Sequence, residues 1–252
     1  MDMDLKGCFQ DRWTRHFPGA EPPLAWFYAD EPHGAEPAPR AKGWSCLVGR
    51  LARVRTGRSV ALDADSVGCA GGKRYLGFPH VLRPHFDHFL SCGLPGEVEG
   101  ERYVKTPEMV RRWMEAVPLL ERRERYIVFK RWDHLEAGDT PEAVVFFGHG
   151  DILSGLFTLA NFAADLADGV TAPFAAGCGS IVGLPALQGR SENPKAVLGM
   201  FDPSARPCVG EDELSFAVPW GKFESMARDM DESFLITETW KSMEWRLAKR
   251  RG

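Results

Sequence analysis

Hydrophobic positions along this chain change period several times, from helical spacing to strand-like runs and back. Residues 1 to 20 read as a short helix ending near "FPGAEPP", and "PLAWFYAD", 23 to 30, has the aromatic content of a strand. "EPHGAEPAPRAKG", 31 to 43, is rich in Pro, Gly and Ala and reads as a loop. In "WSCLVGRLARVRTG" the apolar residues at 44, 47, 48, 51 and 54 are helically spaced, and Gly57 is placed to stop the helix. "RSVALDADSV" follows as a predicted strand.

"HFDHFLSCGLPG" predicts a helix stopped by Gly93 and Pro95. "TPEMVRRWMEAVPLL" has a marked start, with Thr106 as N-cap, Pro107 at the first helical position and Glu108 in the first turn. "RYIVFK" and "AVVFFG" predict short strands, the second apolar enough to lie centrally in a sheet. "DILSGLFTLANFAADLADG" predicts a helix from an Asp cap to Gly169. After "VTAPFAAGCGSIVGLP" come strands "AVLGMF" and "LSFAVP", then helices to the end, where Trp220, Trp240 and Trp245 suit docking onto the body or an exposed dimer surface. No linker or low-complexity tract divides the chain. The pattern predicts one compact domain over 1–252, α/β or α+β, with a mixed sheet and flanking helices.

One stretch echoes another. Residues 44–79 and 151–185 each read as helix, closing glycine (Gly57 or Gly169), strand, then Gly-Cys: "GCAGGKRYLGFP" and "GCGSIVGLP". Read as a duplication into two pseudo-repeated α/β halves, this sets Cys69 opposite Cys178 at strand ends, where open α/β sheets place ligands. The flanking Gly68, Gly71, Gly177 and Gly179 would let backbone N–H groups approach a bound group closely.

Composition narrows the chemistry. The chain is 44% hydrophobic and 26% charged with a net charge of −4, which argues against nucleic-acid binding. Its basic runs, Arg111-Arg112, Arg122 to Arg125 and Lys249 to Arg251, read as solvated faces. No apolar run approaches the ~20 residues of a membrane span, and "MDMDLKGCFQDRW" lacks the order of a signal peptide, so a cytoplasmic protein is expected. Six cysteines in a reducing compartment are free, metal-bound or catalytic rather than disulfide-bonded.

Cys69 and Cys178 lead the candidates for metal ligands, and Cys46 is the third. Cys92, in "FLSCGLPG", and Cys208, in "ARPCVGEDE", compete as a fourth; Cys8 is incidental. There is no C-x-x-C, and the alternative is that all are small buried hydrophobes. A reactive thiol would need a base, which His80, His85 or His88 could supply; His85 and His88 share a helix face and could also pair on a metal. His149 sits at a strand end, as ligand contact or turn residue. Asp202 and Arg206 suit a salt bridge across a turn, or Arg206 a clamp on a carboxylate or phosphate. "GEVEGERYVKTPE" is a charged loop with room to cover a site. No Walker sequence, G-x-G-x-x-G opening a helix or G-x-S-x-G turn occurs.

"GWSCLVGRLARVRTG", "GCAGGKRYLGF", "AAGCGSIVGLP", "VLGMFDPSARP" and "DELSFAVPWGKFESM" together resemble the prokaryotic family catalogued as domain of unknown function 169, over about residues 20 to 246. The resemblance implies one full-length α/β or α+β unit of prokaryotic, cytoplasmic origin, and marks Cys46, Cys69 and Cys178 as the family-like cysteines. Two functions are expected from different classes. One is an iron–sulfur protein, [4Fe–4S] by preference and zinc as the other metal, with a redox or catalytic role. The other is a metal-free module binding a small anionic molecule. A small molecule or redox protein is the expected partner, and a homo-oligomer is compatible.

Overall fold

Along Leu24–Ala29 the side chains of Leu24, Trp26 and Tyr28 enter one hydrophobic core while Ala25 and Phe27 enter another. That alternation makes this strand the divider of the molecule. The computed structural model describes residues 1–122 and 124–250; Arg123 and Arg251, members of two of the basic runs, lie outside the described residues.

The first half runs α1 (Met3–His16), β1 (Leu24–Ala29), β2 (Glu36–Pro37), α2 (Leu47–Arg55), β3 (Val60–Leu62), α3 (Ala70–Tyr75), α4 (Phe86–Leu90), α5 (Pro107–Ala116) and β4 (Tyr126–Arg131). The second runs β5 (Ala143–Gly148), α6 (Gly150–Phe162), β6 (Val170–Thr171), a π-helical turn (Gly179–Gly183) leading into α7 (Leu184–Gln188), β7 (Ala196–Gly199), β8 (Leu214–Pro219), α8 (Trp220–Asp229) and α9 (Glu238–Lys249). Among the described residues the strands form one mixed eight-stranded sheet, in the order β2-β3-β4-β1-β5-β8-β7-β6. With helices on both faces, the α/β class expected from the sequence is the one observed.

The order reads alike outward from the β1–β5 contact. On one side lie β1, β4, β3 and β2; on the other, β5, β8, β7 and β6. The senses match too: β2–β3 and β6–β7 are parallel, and the remaining neighbours are antiparallel. In this order Cys46 and Cys178 both follow the parallel edge strands β2 and β6, and Cys69 and Cys208 both follow β3 and β7. The sequence echo paired Cys69 with Cys178 instead. It aligned β3 with β6, an inner strand with an edge strand.

One sheet face carries α1, α6, α8 and α9 on an aromatic core. Phe9 meets Trp132 and Phe223 edge-on at 4.8 and 4.9 Å, a geometry favoured by the ring quadrupoles. Trp240 docks the last helix, its indole N–H donating to His16 O at 2.9 Å, while Trp245 stays exposed. The other face carries α2, α3, the π-helical turn and α7, burying Leu51, Val54, Leu76, Ile181 and Val182.

Several elements are shorter than the hydrophobic pattern predicts. β3 stops at Leu62 because the Asp63 carboxylate accepts from Ser66 N–H at 2.8 Å, closing a side-chain turn. β6 is two residues long, since Pro173 cannot donate to a ladder. α6 ends at Phe162, not near Gly169, and its N-cap is His149, whose Nδ1 accepts from Asp151 N–H at 3.3 Å. The Thr106 cap is as expected, its hydroxyl oxygen accepting from Met109 N–H at 3.3 Å.

Candidate functional site

β1 holds the cysteine-bearing elements from below. The Trp26 indole N–H donates to Ile181 O at 3.0 Å, fixing the π-helical turn that follows Cys178. The Tyr28 hydroxyl donates to Leu76 O at 2.8 Å, fixing the end of α3, which begins after Cys69. Both side chains are buried, so each hydrogen bond satisfies a carbonyl that water does not reach.

Two glycines then let the chains cross. A Cβ at Gly177 would sit 2.8 Å from Ala205 and 3.0 Å from Val48, so the segments of Cys178, Cys208 and Cys46 meet there. A Cβ at Gly68 would fall 2.0 Å from Gly43 O, which brings the Cys69 segment against the approach to Cys46. An ion pair ties two of these segments further: Arg55, at the end of α2, binds Glu213 at 2.7 and 3.0 Å.

The segments that carry the four cysteines lie against one another as a result. The thiols are linked electrostatically, Cys208 with Cys46, and Cys178 with Cys69 and Cys46. One sulfur has a backbone donor, Gly72 N–H on Cys69 at 3.4 Å. Burial pushes the Cys178 thiol up, with Cys69, Cys46 and Asp202 adding to it. Burial also raises Cys208, followed by the effect of Cys46. Both are therefore protonated at neutral pH.

Cys92 stands apart, exposed, its thiol donating to Gly93 O at 3.5 Å; Cys8 is exposed on α1. His80 contacts Phe78 O, His85 lies 3.5 Å from Glu97, and His88 contacts Gly93 O. None of these contacts is with Cys69. Arg206 does not clamp toward the cysteines: its guanidinium donates to the backbone carbonyls of Gly210, Glu211 and Glu213, closing its own loop. Asp202 pairs elsewhere too, its carboxylate accepting from Gly177 N–H at 3.3 Å and from Ser204 N–H and hydroxyl at 2.9 and 2.8 Å.

A cavity of about 360 Å³ opens beside Cys69 and Gly71. α4 and α5 supply Phe86, Phe89 and Trp113, the charged loop supplies Glu101 and Tyr103, and Phe174 closes the far side. Gly179 faces Tyr75 across the rim, where a Cβ would come within 3.0 Å of the ring. Burial pushes the Tyr75 hydroxyl up to about 12, with Cys178 and Asp202 adding and Arg74 opposing, so it is a neutral donor between pocket and thiols. Sequence reasoning passed over this pocket. Its signal was the aromatic content of "HFDHFLS" and "RRWME", on helices too short to bury it.

Among the described residues no three His, Cys, Asp or Glu side chains stand as a set for a single metal ion, and no helix is long and apolar enough to cross a membrane. Nothing matches among curated proteins or among solved structures. A family model described as DUF169, uncharacterised ArCR, matches residues 20–229. The matched span holds Cys46, Cys69, Cys92, Cys178 and Cys208; it stops short of α9, into which the sequence resemblance extended. The chain belongs to the DUF169 family.

Proposed function

We propose that Cys46, Cys69, Cys178 and Cys208 hold an iron–sulfur cluster, [4Fe–4S] by its match to four thiolates, beside a small-molecule pocket. The observation that carries this reading is the convergence of four loops at equivalent places in the sheet order, each bringing one cysteine. On this reading Cys208, not Cys92, is the fourth ligand. The donor set also bears on which metal group fits. A tetrahedral zinc with Zn–S near 2.3 Å draws its sulfurs to about 3.8 Å of one another. Among the described residues no three side chains form such a set.

The residues around the sulfurs suit that role. The Gly72 N–H on Cys69 would offset thiolate charge, the means by which a protein tunes a cluster's potential. Such a cluster supplies one-electron transfer or a Lewis-acidic iron. Tyr75 and Cys69 border the pocket, so a bound molecule would lie next to the cysteines. All six thiols are unbridged, in keeping with a reducing cytoplasm, and a redox protein or small molecule is the partner this chemistry calls for.

The pocket favours a second reading, a metal-free binding module whose cysteines only pack. Anaerobic reconstitution separates the two. The first expects brown protein with stoichiometric iron and sulfide, and loss of most of both in Cys69→Ser; colourless, iron-free protein supports the second.

A further inference from the structure

We propose that the cavity beside Cys69 binds a small aromatic carboxylate, its ring among Phe86, Phe89, Trp113 and Phe174 and its carboxylate on Arg74. The inference concerns the pocket and stands whether or not the cysteines carry a cluster.

The aromatic half of the argument is geometric. Phe174 sits 6.0 Å from Tyr103 and 6.1 Å from Trp113, centroid to centroid, and Phe86 and Phe89 pair at 6.1 Å. These rings line an opening instead of filling it, and Phe174 stays 42% exposed in a chain that buries most of its phenylalanines. A flat ring entering here gains offset or edge contacts as well as apolar burial. The cavity volume, about 360 Å³, lies at the small end of ligand sites and suits one or two fused rings.

The charge half rests on Arg74. It is at the end of α3, half-buried in the cavity wall, with Nη2 donating to Met114 O at 3.3 Å. Among the described residues no carboxylate forms an ion pair with it. Asp202 accepts three hydrogen bonds from Gly177 and Ser204, and Glu101 is exposed to solvent at the rim. An arginine fork with N–H groups to spare, beside stacked rings, matches a planar carboxylate in both shape and charge.

Calorimetric titration of the full chain with 2-naphthoate and with 2-naphthylmethylamine tests this, on metal-free and on reconstituted protein. Saturable one-to-one binding of the acid is expected, at least about tenfold tighter than the amine, since one charge-assisted contact separates them. Arg74→Met should remove that preference, Arg74→Lys should retain part of it, and Trp113→Ala should weaken both probes. Unchanged thermal unfolding would verify that each variant folds. Absence of saturable acid binding, equal binding of acid and amine, or indifference to Arg74→Met would overturn the proposal. Acid binding by iron-free protein would uphold it even as the cluster reading failed.

Discussion

At the scale of residues, the site depends on a few atoms that leave no periodic trace. Gly177 has room for no Cβ, and Gly177→Ala should cost roughly 1–3 kcal/mol by overpacking against Ala205 and Val48, read from a urea midpoint at constant slope. Tyr28→Phe removes only a hydroxyl, but leaves the buried Leu76 carbonyl without its donor. A loss of roughly 1–3 kcal/mol is expected. Calorimetric melting checks that figure, and unchanged stability would show that Tyr28 does not anchor α3. The Gly-Cys pairs were conspicuous in the sequence because glycine and cysteine are both unusual beside an apolar run. Cys208 was not: its environment reads as polar loop, and it is the fold that sets its sulfur against Gly49 of α2, 3.5 Å from where a Cβ there would stand.

At the scale of elements, what periodicity and caps encode was legible. β1, β4, β5 and β8 lie where apolar runs place them, and Thr106 caps its helix. What failed depends on side-chain competition for backbone. Asp63 and Ser66 end β3 early, and the run "SIVGLP" enters a π-helical turn and α7, not a strand-end loop. The Arg55–Glu213 pair, joining α2 to the loop after Cys208, was invisible because its partners are far apart in sequence. Burial alone would raise the Glu213 carboxyl. Hydrogen bonds from Arg55 and the Gly210 N–H more than offset this and hold it below the usual range. A carboxylate depressed in the folded state stabilises above its unfolded value, about 4.3, and that contribution is lost as pH falls through the folded value. Melting temperature should therefore drop below about pH 4.3 less steeply in Glu213→Gln than in the parent. Parallel acid limbs would contradict the assignment.

At the scale of the molecule, the sheet order brings the segments of four distant cysteines against one another. Two parallel edge pairs, β2–β3 and β6–β7, each release two loops onto the face that Trp26 and Tyr28 organise. The repeat is one of topology, with Cys46 matching Cys178 and Cys69 matching Cys208. The sequence echo, built on shared Gly-Cys words, paired Cys69 with Cys178, a pairing different from that of the strand order, because strand order is set by pairing partners that no local word contains. The most direct test is iron and sulfide content with a visible spectrum, measured on anaerobically reconstituted protein and on Cys208→Ser and Cys92→Ser. The account predicts a cluster in the parent and in Cys92→Ser, with most of it lost in Cys208→Ser. Iron-free parent protein, or a cluster lost with Cys92 and kept without Cys208, would contradict it.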